Sequence, residues 1–245
     1  MKTPLVNIQI LSIYKLGDKQ VMLPNRMAKC TPDMYRAVMA ISAELMSLGG
    51  SLELSDMFRS YDMQFQAHAD YISGKKKAYS PPPGGSLHEA GRSMDIDLSK
   101  IKITLAKFWE IAAKYGVFPI ISEPNASTSE AWHFDCRGSH GIVYNYYKNG
   151  KASNMPAYTA MAVSAILSAG IQVDEFAGNN DEAFIQSGLI RLGYDIGPID
   201  GDIGKKTNAA LLAAGVTATA IAEKISAIES LLDNEFPEEY MLPNS

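Results

Sequence analysis

Apolar residues in the first half of the chain recur at helical spacing, between segments that alternate as β-strands do. Met34, Val38, Ile41 and Leu45 lie three or four residues apart, which predicts one buried face of a helix over residues 31–50. Further helices are predicted over residues 61–74 and 104–117, and short strands over residues 51–60 and 129–138. Helices interleaved with short strands indicate an α+β domain with a small antiparallel sheet, which we expect to occupy residues 1–150.

The second half of the chain has a different composition and predicts a separate helical domain. Residues 151–177 begin with turn-forming residues and continue into an apolar, alanine-rich stretch, so we expect a linker or helical connection there. Residues 178–235 combine helical stretches with glycine-rich turns, which predicts a small all-helical domain. The acidic residues 236–245 are expected to form a frayed tail.

Charge and composition exclude several classes of protein. The 245-residue chain has a net charge of −5, whereas nucleic-acid-binding proteins usually carry a basic face, so no nucleic-acid partner is expected. Two cysteines, Cys30 and Cys136, are too few for a disulfide scaffold or a thiolate zinc site, and we expect two separate thiols. Residues 157–171 are too short and too rich in small residues for a membrane span, and the N-terminus lacks the pattern of a secretory signal.

Two predicted strands carry polar residues on one face and can meet in a sheet. In the first, Ser93, Asp95 and Asp97 alternate with apolar residues, and in the second His133 and Asp135 share a face. If the two strands are neighbours, the side chains of His133 and Asp95 can approach each other. Asp97 and Asp135 are expected to support the site or to lie at the surface rather than to bind a metal.

His88 completes a candidate set of metal ligands. It lies seven residues before Asp95, which would place it on the opposite face of a continuous strand. Gly91 between them permits a bend that turns both side chains toward one centre. Two imidazoles and one carboxylate, here His88, His133 and Asp95, are a common protein ligand set of catalytic Zn²⁺, with one coordination position left for water.

Two further residues fit the needs of hydrolysis at such a metal. Glu130 lies three residues before His133, where a carboxylate that does not bind the metal can take a proton from the attacking water. Arg59 lies where a strand should meet a helix, and its guanidinium can bind a substrate carboxylate or the developing oxyanion. Residues 75–85, rich in lysine and proline, are expected to form a rim of the cleft with solvated lysine side chains.

The order and spacing of these residues resemble a known enzyme family. The motif residues are Arg59, Ser60 and Gln64, then Ser86, His88, Gly91 and Asp95, then Glu130, Trp132 and His133. Over residues 22–147 the chain is similar to the zinc D-alanyl-D-alanine carboxypeptidases and VanY-like peptidases, a family that includes phage L-alanyl-D-glutamate endopeptidases. Phe58 and Ala131 stand where that family usually has tyrosine and proline, which leaves the cleaved bond open.

The resemblance implies a role for each matching residue. His88, Asp95 and His133 would bind Zn²⁺, Glu130 would act as the general base, and Arg59 would stabilise the carbonyl oxygen. The implied function is hydrolysis of peptidoglycan stem peptides by a zinc metallopeptidase of the D-alanyl-D-alanine carboxypeptidase type. One alternative is an L-alanyl-D-glutamate endopeptidase of the phage endolysin type, and a second is a non-catalytic protein that binds the cell wall.

Residues 184–215 resemble the small peptidoglycan-binding domain found beside many wall hydrolases. The residues that carry the resemblance are Ile185, Gln186, Leu189, Leu192, Gly193, Tyr194, Gly197, Pro198, Asp200, Gly201, Gly204, Thr207 and Ala210. This resemblance implies bacterial peptidoglycan as the partner, with Tyr194, Asp200 and Asp202 as candidate contacts.

The expected substrate lies outside the cytoplasmic membrane, although the chain shows no export signal. Synthesis in the cytoplasm followed by phage-type release, or delivery by a phage-like particle, would bring the protein to the wall. A binding domain fused to a peptidase would raise the local concentration of substrate around the catalytic site.

Overall fold

A computed structural model describes residues 2–243 of the chain. The strands are Val6–Asn7 (β1), Leu11–Leu16 (β2), Lys19–Met22 (β3), Lys29–Cys30 (β4), Glu53–Asp56 (β5), Ser93–Ile96 (β6), Val117–Pro119 (β7) and His133–Cys136 (β8). The helices are Pro32–Ser47 (α1), Tyr61–Ile72 (α2), Leu105–Lys114 (α3), His140–Lys148 (α4), Ala157–Ser168 (α5), Asn180–Arg191 (α6), Lys205–Ala213 (α7) and Ile221–Glu235 (α8). Short 3₁₀ turns occur at Leu87–Ala90, Asp174–Phe176 and Pro237–Glu239.

The chain divides into two compact units, which we call the sheet unit and the helical unit. The sheet unit consists mainly of Pro4–Ser80 and Leu87–Arg137, and contains the strands with α1 to α3. The helical unit consists mainly of Gly138–Met241 and also includes Pro81–Ser86, so α4 belongs to it although α4 lies within the range 1–150. The predicted α+β class with an all-helical C-terminal part is confirmed.

A six-stranded sheet forms the centre of the sheet unit, in the order β3-β2-β5-β6-β8-β7. The predicted antiparallel pairing holds for the strands that carry the candidate site residues, and only β2 and β5 are parallel neighbours among the described strands, so this sheet is mixed. Parallel neighbours need a crossover connection, and the chain between β2 and β5 supplies one that contains α1. β1 and β4 form a separate antiparallel pair.

The predicted helix face is buried as expected. Met34, Val38, Ile41 and Leu45 are inaccessible to solvent on α1 and belong to the core that lies under the sheet. Phe134, which alternates with polar residues on β8, is also inaccessible to solvent and packs edge-to-face on a phenylalanine of α3 with 4.8 Å between ring centroids. The apolar sides of α1 and β8 therefore pack the sheet against its helices. The polar side chains of β8 lie on the opposite face of the strand, where they can take part in a functional site.

Gln186 organises the glycine-rich turn of the helical unit. Its amide nitrogen donates to Asp200 Oδ1 at 2.7 Å and to the carbonyl oxygen of Asp202 at 2.9 Å. Its amide oxygen accepts hydrogen bonds from the backbone N–H groups of Asp200 and Gly201. A single buried side chain on α6 thus satisfies four polar groups of the turn, which explains why the turn needs a glutamine at this place.

A second buried polar network of the helical unit involves the predicted tail. The guanidinium of Arg191 donates to Glu239 Oε2 at 2.8 Å, to Ser168 Oγ at 2.7 Å and to Ser139 Oγ at 2.7 Å. The other oxygen of Glu239 accepts the backbone N–H of Ser139 at 2.7 Å. The expectation of a frayed tail is therefore wrong at Glu239 and Tyr240, which are both buried, while residues 244–245 lie outside the described part of the chain.

Two further expectations from composition can be compared with the structure. Within residues 2–243, no helix combines the length and the apolar character needed to cross a bilayer. Cys30 and Cys136 are both buried, and neither takes part in a disulfide, as predicted.

Candidate metal centre

Three polar residues form a row across the middle of the sheet. In the register of the strands, Asp95 on β6 lies between Asp56 on β5 and His133 on β8. The imidazole Nδ1 of His133 lies 2.9 Å from Asp95 Oδ1, and both side chains are buried. The alternation of polar and apolar residues on two antiparallel strands therefore brings His133 and Asp95 together, because directly opposite residues point to the same face.

His88 approaches the row from the 3₁₀ turn that precedes β6. Gly91 follows that turn with φ +65°, and a Cβ atom at this position would lie 2.9 Å from the Cα of Cys30. Glycine is thus required both by the backbone conformation and by the close packing. The resulting bend places His88 Nε2 3.4 Å from Asp95 Oδ1, and the rings of His88 and His133 meet edge-to-face with 5.0 Å between centroids.

The geometry and chemistry of these three side chains fit a divalent cation. One ligand atom from each of His88, Asp95 and His133 lies within 4.8 Å of the other two, and all three residues are buried. Two ligands of one tetrahedral Zn²⁺ lie about 3.3 Å apart. The spacing of His88 Nε2 and Asp95 Oδ1 is close to that value, so little movement would be needed to enclose an ion.

Hydrogen bonds to the outer nitrogens orient both imidazoles. His88 Nδ1 lies 2.8 Å from the carbonyl oxygen of Met57, so it carries the proton and leaves Nε2 as the nitrogen with a lone pair. His133 Nε2 lies 2.9 Å from Asp135 Oδ1, so Nε2 keeps its proton and Nδ1 is the nitrogen that is left for a metal. Asp135 is itself held by the hydroxyl of Ser93 at 2.6 Å. The two nitrogens that face Asp95 are therefore the ones suited to bind a metal.

The charges of the cluster favour bound positive charge. Burial lowers the pKa of His133, but the carboxylates of Asp135 and Asp95 outweigh burial and raise that pKa to about 10. Burial raises the pKa of Asp95, but His88 and His133 outweigh it and hold the pKa of that carboxyl well below its usual range. A set of residues that attracts a proton so strongly provides the negative field that a divalent cation needs.

Arg59 bridges two carboxylates at the edge of this cluster. Its Nε donates to Asp56 Oδ2 at 2.5 Å, and its terminal nitrogens donate to Asp95 Oδ2 at 3.3 Å and to Gln64 Oε1 at 3.2 Å. The guanidinium thus relieves the repulsion between neighbouring carboxylates in the row. It also leaves Asp95 Oδ1 to the imidazoles. A guanidinium has five N–H donors, so further donors remain after these three bonds to the described residues.

Glu130 lies in a strained turn directly before β8. Its φ of +68° is in the left-handed region that glutamate rarely adopts. Oxygen Oε1 is buried and has no hydrogen-bond partner among residues 2–243. Burial raises the pKa of Glu130, His133 lowers it, and Asp95 raises it further. The carboxyl group of Glu130 thus interacts electrostatically with two of the candidate ligands. Strain and an unsatisfied buried oxygen are features that persist at functional sites.

The structure adds residues that local sequence patterns did not single out. Asp56 lies three residues before Arg59, and its role depends on the register between β5 and β6. Tyr14 on β2 interacts electrostatically with the cluster, since the pKa of its hydroxyl is raised by burial and by the carboxylates of Asp56 and Asp95. A carboxylate shortly before the arginine was a signal for Asp56, whereas Tyr14 lies 45 residues from Arg59 and gives no local signal.

Replacing Asp135 with asparagine should weaken metal binding while the fold is retained. The change removes the carboxylate that fixes His133 Nε2–H, and loss of such a support typically lowers metal affinity about 10- to 100-fold. Competition with a chromogenic chelator, with Zn²⁺ as the probe, measures the change. Asp97→Asn is the control, because the carboxylate of Asp97 accepts its hydrogen bonds from the neighbouring Ser99. Equal affinities for the parent and Asp135→Asn would contradict this orienting role.

In the helical unit, two of the three candidate wall-binding residues take part in turn structure. Asp200 Oδ1 accepts hydrogen bonds from Gln186 Nε2 and from the backbone N–H of Asp202. Asp202 uses its carbonyl oxygen for Gln186. Tyr194 is half-buried and borders a cavity of about 420 Å³ that is also lined by Arg191 and Phe236.

Comparisons with known proteins give partial structural similarity only. No protein-family model matches the chain, and no curated protein matches it. The LdcB LD-carboxypeptidase, a structure described as revealing the basis of peptidoglycan recognition, is 18% identical with a TM-score of 0.42, over 54% of this chain and 67% of that chain. DacB from Streptococcus pneumoniae D39 is 20% identical with a TM-score of 0.35, over 54% of this chain and 84% of that chain. A structure described as an L,D-carboxypeptidase DacB from Streptococcus pneumonia is 20% identical with a TM-score of 0.34, over 55% and 85%.

Proposed function

We propose that this protein is a zinc-dependent peptidoglycan hydrolase that cleaves an amide bond of the stem peptide, of the D-alanyl-D-alanine carboxypeptidase type. The observation that carries the proposal is the convergence of His88, Asp95 and His133. The charges of His133 and Asp95 also act on the nearby carboxyl group of Glu130. The motif resemblance supplies the substrate class. A purely structural zinc site would need no unsatisfied carboxylate beside it.

His88, Asp95 and His133 would hold the ion through the nitrogens and the oxygen that face each other. When bound, Zn²⁺ lowers the pKa of water and polarises a carbonyl oxygen. The outer contacts of the imidazoles keep the lone pairs directed inward throughout the reaction. The protein residues therefore contribute orientation, and the remaining chemistry concerns protons and developing charge.

Glu130 is the residue suited to move the proton. Its buried Oε1 can accept a proton from the attacking water as the water oxygen bonds to the scissile carbonyl carbon. The same oxygen can then return that proton to the amide nitrogen as the carbon–nitrogen bond breaks, so the amine leaves neutral. The raised pKa of Glu130 favours this exchange, because a stronger base takes the proton more readily.

Arg59 is the residue suited to stabilise negative charge. Asp56 and Asp95 hold the guanidinium in a fixed orientation, and its remaining N–H donors can bind the oxygen that becomes negative during attack. Such preorganised donors are effective because they need no rearrangement during the reaction. Fixed contacts on three sides also limit the positions that the substrate carbonyl can take.

Metal removal provides the direct test of this function. The purified protein should contain about one Zn²⁺ per chain, and digestion of muropeptides should stop in the presence of a chelator and resume when Zn²⁺ is added. Mass spectrometry of the products identifies the bond, because a carboxypeptidase removes a terminal D-alanine and the endopeptidase releases the stem peptide from D-glutamate onward. Digestion that continues at the same rate in the metal-depleted protein would overturn the proposal.

A further inference from the structure

A loop with three successive lysines follows α2 in the sheet unit. The backbone N–H of Lys76 donates to the carbonyl oxygen of Asp70 at 2.9 Å, which returns the chain toward the end of the helix. Tyr79, near the end of the loop, packs edge-to-face on Tyr71 of α2 with 5.2 Å between ring centroids. The loop is thus held against the helix at Lys76 and at Tyr79.

The far end of this loop is connected to the guanidinium of the candidate site. Gln64 of α2 donates to Ser80 Oγ at 3.2 Å, and His68 Nδ1 lies 2.8 Å from the carbonyl oxygen of Ser80. Gln64 also accepts a hydrogen bond from Arg59 at 3.2 Å. One buried glutamine therefore links Arg59 to Ser80, at the end of the loop that carries the lysines.

Lys76 differs from its neighbour within the loop. The side chain of Lys75 is 76% exposed and its ammonium lies 4.0 Å from Asp70, as expected for a solvated surface lysine. Lys76 is half-buried, and its ammonium forms no ion pair or hydrogen bond with any residue between 2 and 243. The expectation that the lysines of this rim are all solvated therefore does not describe Lys76.

The electrostatic environment of Lys76 includes the charged groups of the candidate site. Burial lowers the pKa of this ammonium, the nearby guanidinium of Arg59 lowers it further, and the carboxylates of Asp95, Asp56 and Glu130 oppose the change. Four charged groups of the site thus act on Lys76, although none is close enough to form an ion pair with it.

An ammonium that has lost part of its hydration without gaining a counter-ion is suited to an anionic ligand, because the ligand supplies the missing charge-assisted hydrogen bonds. In both bonds considered for this protein, the residue on the amine side of the scissile amide carries an α-carboxylate. In one it is the terminal D-alanine, and in the other it is the D-glutamate. One cation at the site could therefore bind this α-carboxylate in either substrate.

We infer that Lys76 is a specificity-determining residue that binds the α-carboxylate of the substrate residue released as the amine. This inference rests on the proposed function and assigns the carboxylate to Lys76, which leaves the donors of Arg59 for the scissile carbonyl oxygen. The bonds of Gln64 connect Arg59 to Ser80, at the end of the loop that carries Lys76.

Matched substrates and variants test the inference. Lys76→Met removes the charge at similar length, Lys76→Arg restores a cation, and Lys75→Met is the control for an exposed lysine of the same loop. Each variant is assayed on an acylated peptide ending in D-alanyl-D-alanine and on its C-terminal carboxamide. A second pair contains L-alanyl-D-glutamate peptides with the glutamate α-carboxyl group either unmodified or amidated.

Lys76→Met should lower kcat/KM for the carboxylate peptide about 10- to 100-fold, the usual effect of losing a hydrogen bond to a charged group, and change the carboxamide peptide little. Lys76→Arg should recover most of the loss, and Lys75→Met should match the parent. The peptide pair that shows the effect identifies the source of the carboxylate. Equal losses on both members of each pair, or no loss, would overturn the role of Lys76.

A separate measurement distinguishes this failure from failure of the proposed function. If the parent cleaves neither peptide type, the proposed hydrolase activity is wrong. Calorimetry then measures binding of the carboxylate and carboxamide peptides to the parent and to Lys76→Met. A carboxylate preference that depends on Lys76 would support the binding role without catalysis, and its absence would overturn the inference.

Discussion

Replacing Glu130 with glutamine should lower turnover of muropeptides about 10²- to 10⁴-fold, the contribution typical of a positioned general base. The amide keeps the size of the side chain and its position in the strained turn, but it cannot accept and return a proton. His88, Asp95 and His133 are unchanged, so zinc content measured by atomic absorption should equal that of the parent. Mass spectrometry of digested muropeptides measures the rate.

Glu123→Gln is the matched control for this experiment. Glu123 is an exposed glutamate in the segment before β8, so its replacement should leave turnover unchanged. Sedimentation with purified sacculi adds a binding readout, and Glu130→Gln should bind the wall as the parent does. A variant that cleaves as fast as the parent would show that Glu130 is not the base. A parent that binds sacculi but never cleaves them would favour the non-catalytic wall-binding alternative.

Residues of the candidate cluster could be chosen from sequence because two short strands carry their chemistry in alternation. Asp95 stands between two buried apolar residues, and His133 between the half-buried Trp132 and the buried Phe134. Their common orientation therefore follows from the pleat of a strand. Gly91 was informative for a different reason, since a glycine between two candidate ligands indicates that the backbone bends there. Local pattern therefore located the three residues that converge, and the resemblance of motifs is what suggests Zn²⁺ as the ion.

Contacts that depend on strand register or on distant segments could not be predicted in this way. The alternation of β6 does not reveal that Asp56 is the neighbour of Asp95 on β5, because a shift of one residue would reverse the faces. The short strands β1 to β4 have little periodicity of their own and are defined by their partners. The half-burial of Lys76 within a run of three lysines likewise has no signal in the local sequence.

The burial of Glu239 is the clearest example of a feature that the local sequence could not predict. Its acidic surroundings in the sequence indicate solvent exposure, but its partner Arg191 lies 48 residues earlier in the chain. Both side chains are inaccessible to solvent, and every oxygen of the carboxylate is hydrogen-bonded. A charge that is completely removed from water is tolerated only when such a partner is present.

Replacing Glu239 with alanine should destabilise the helical unit by about 3–5 kcal/mol, because the guanidinium of Arg191 would remain buried without its carboxylate. Urea unfolding followed by far-UV circular dichroism measures the loss, and Glu238→Ala, at the exposed neighbouring glutamate, is the control. The double variant Arg191→Met with Glu239→Leu should recover much of the stability, since apolar side chains need no counter-ion. If Glu239→Ala and Glu238→Ala unfold at the same urea concentration, the buried ion pair of Arg191 and Glu239 does not stabilise the helical unit. The stability of the unit must then come from the packing of α6 against its neighbours.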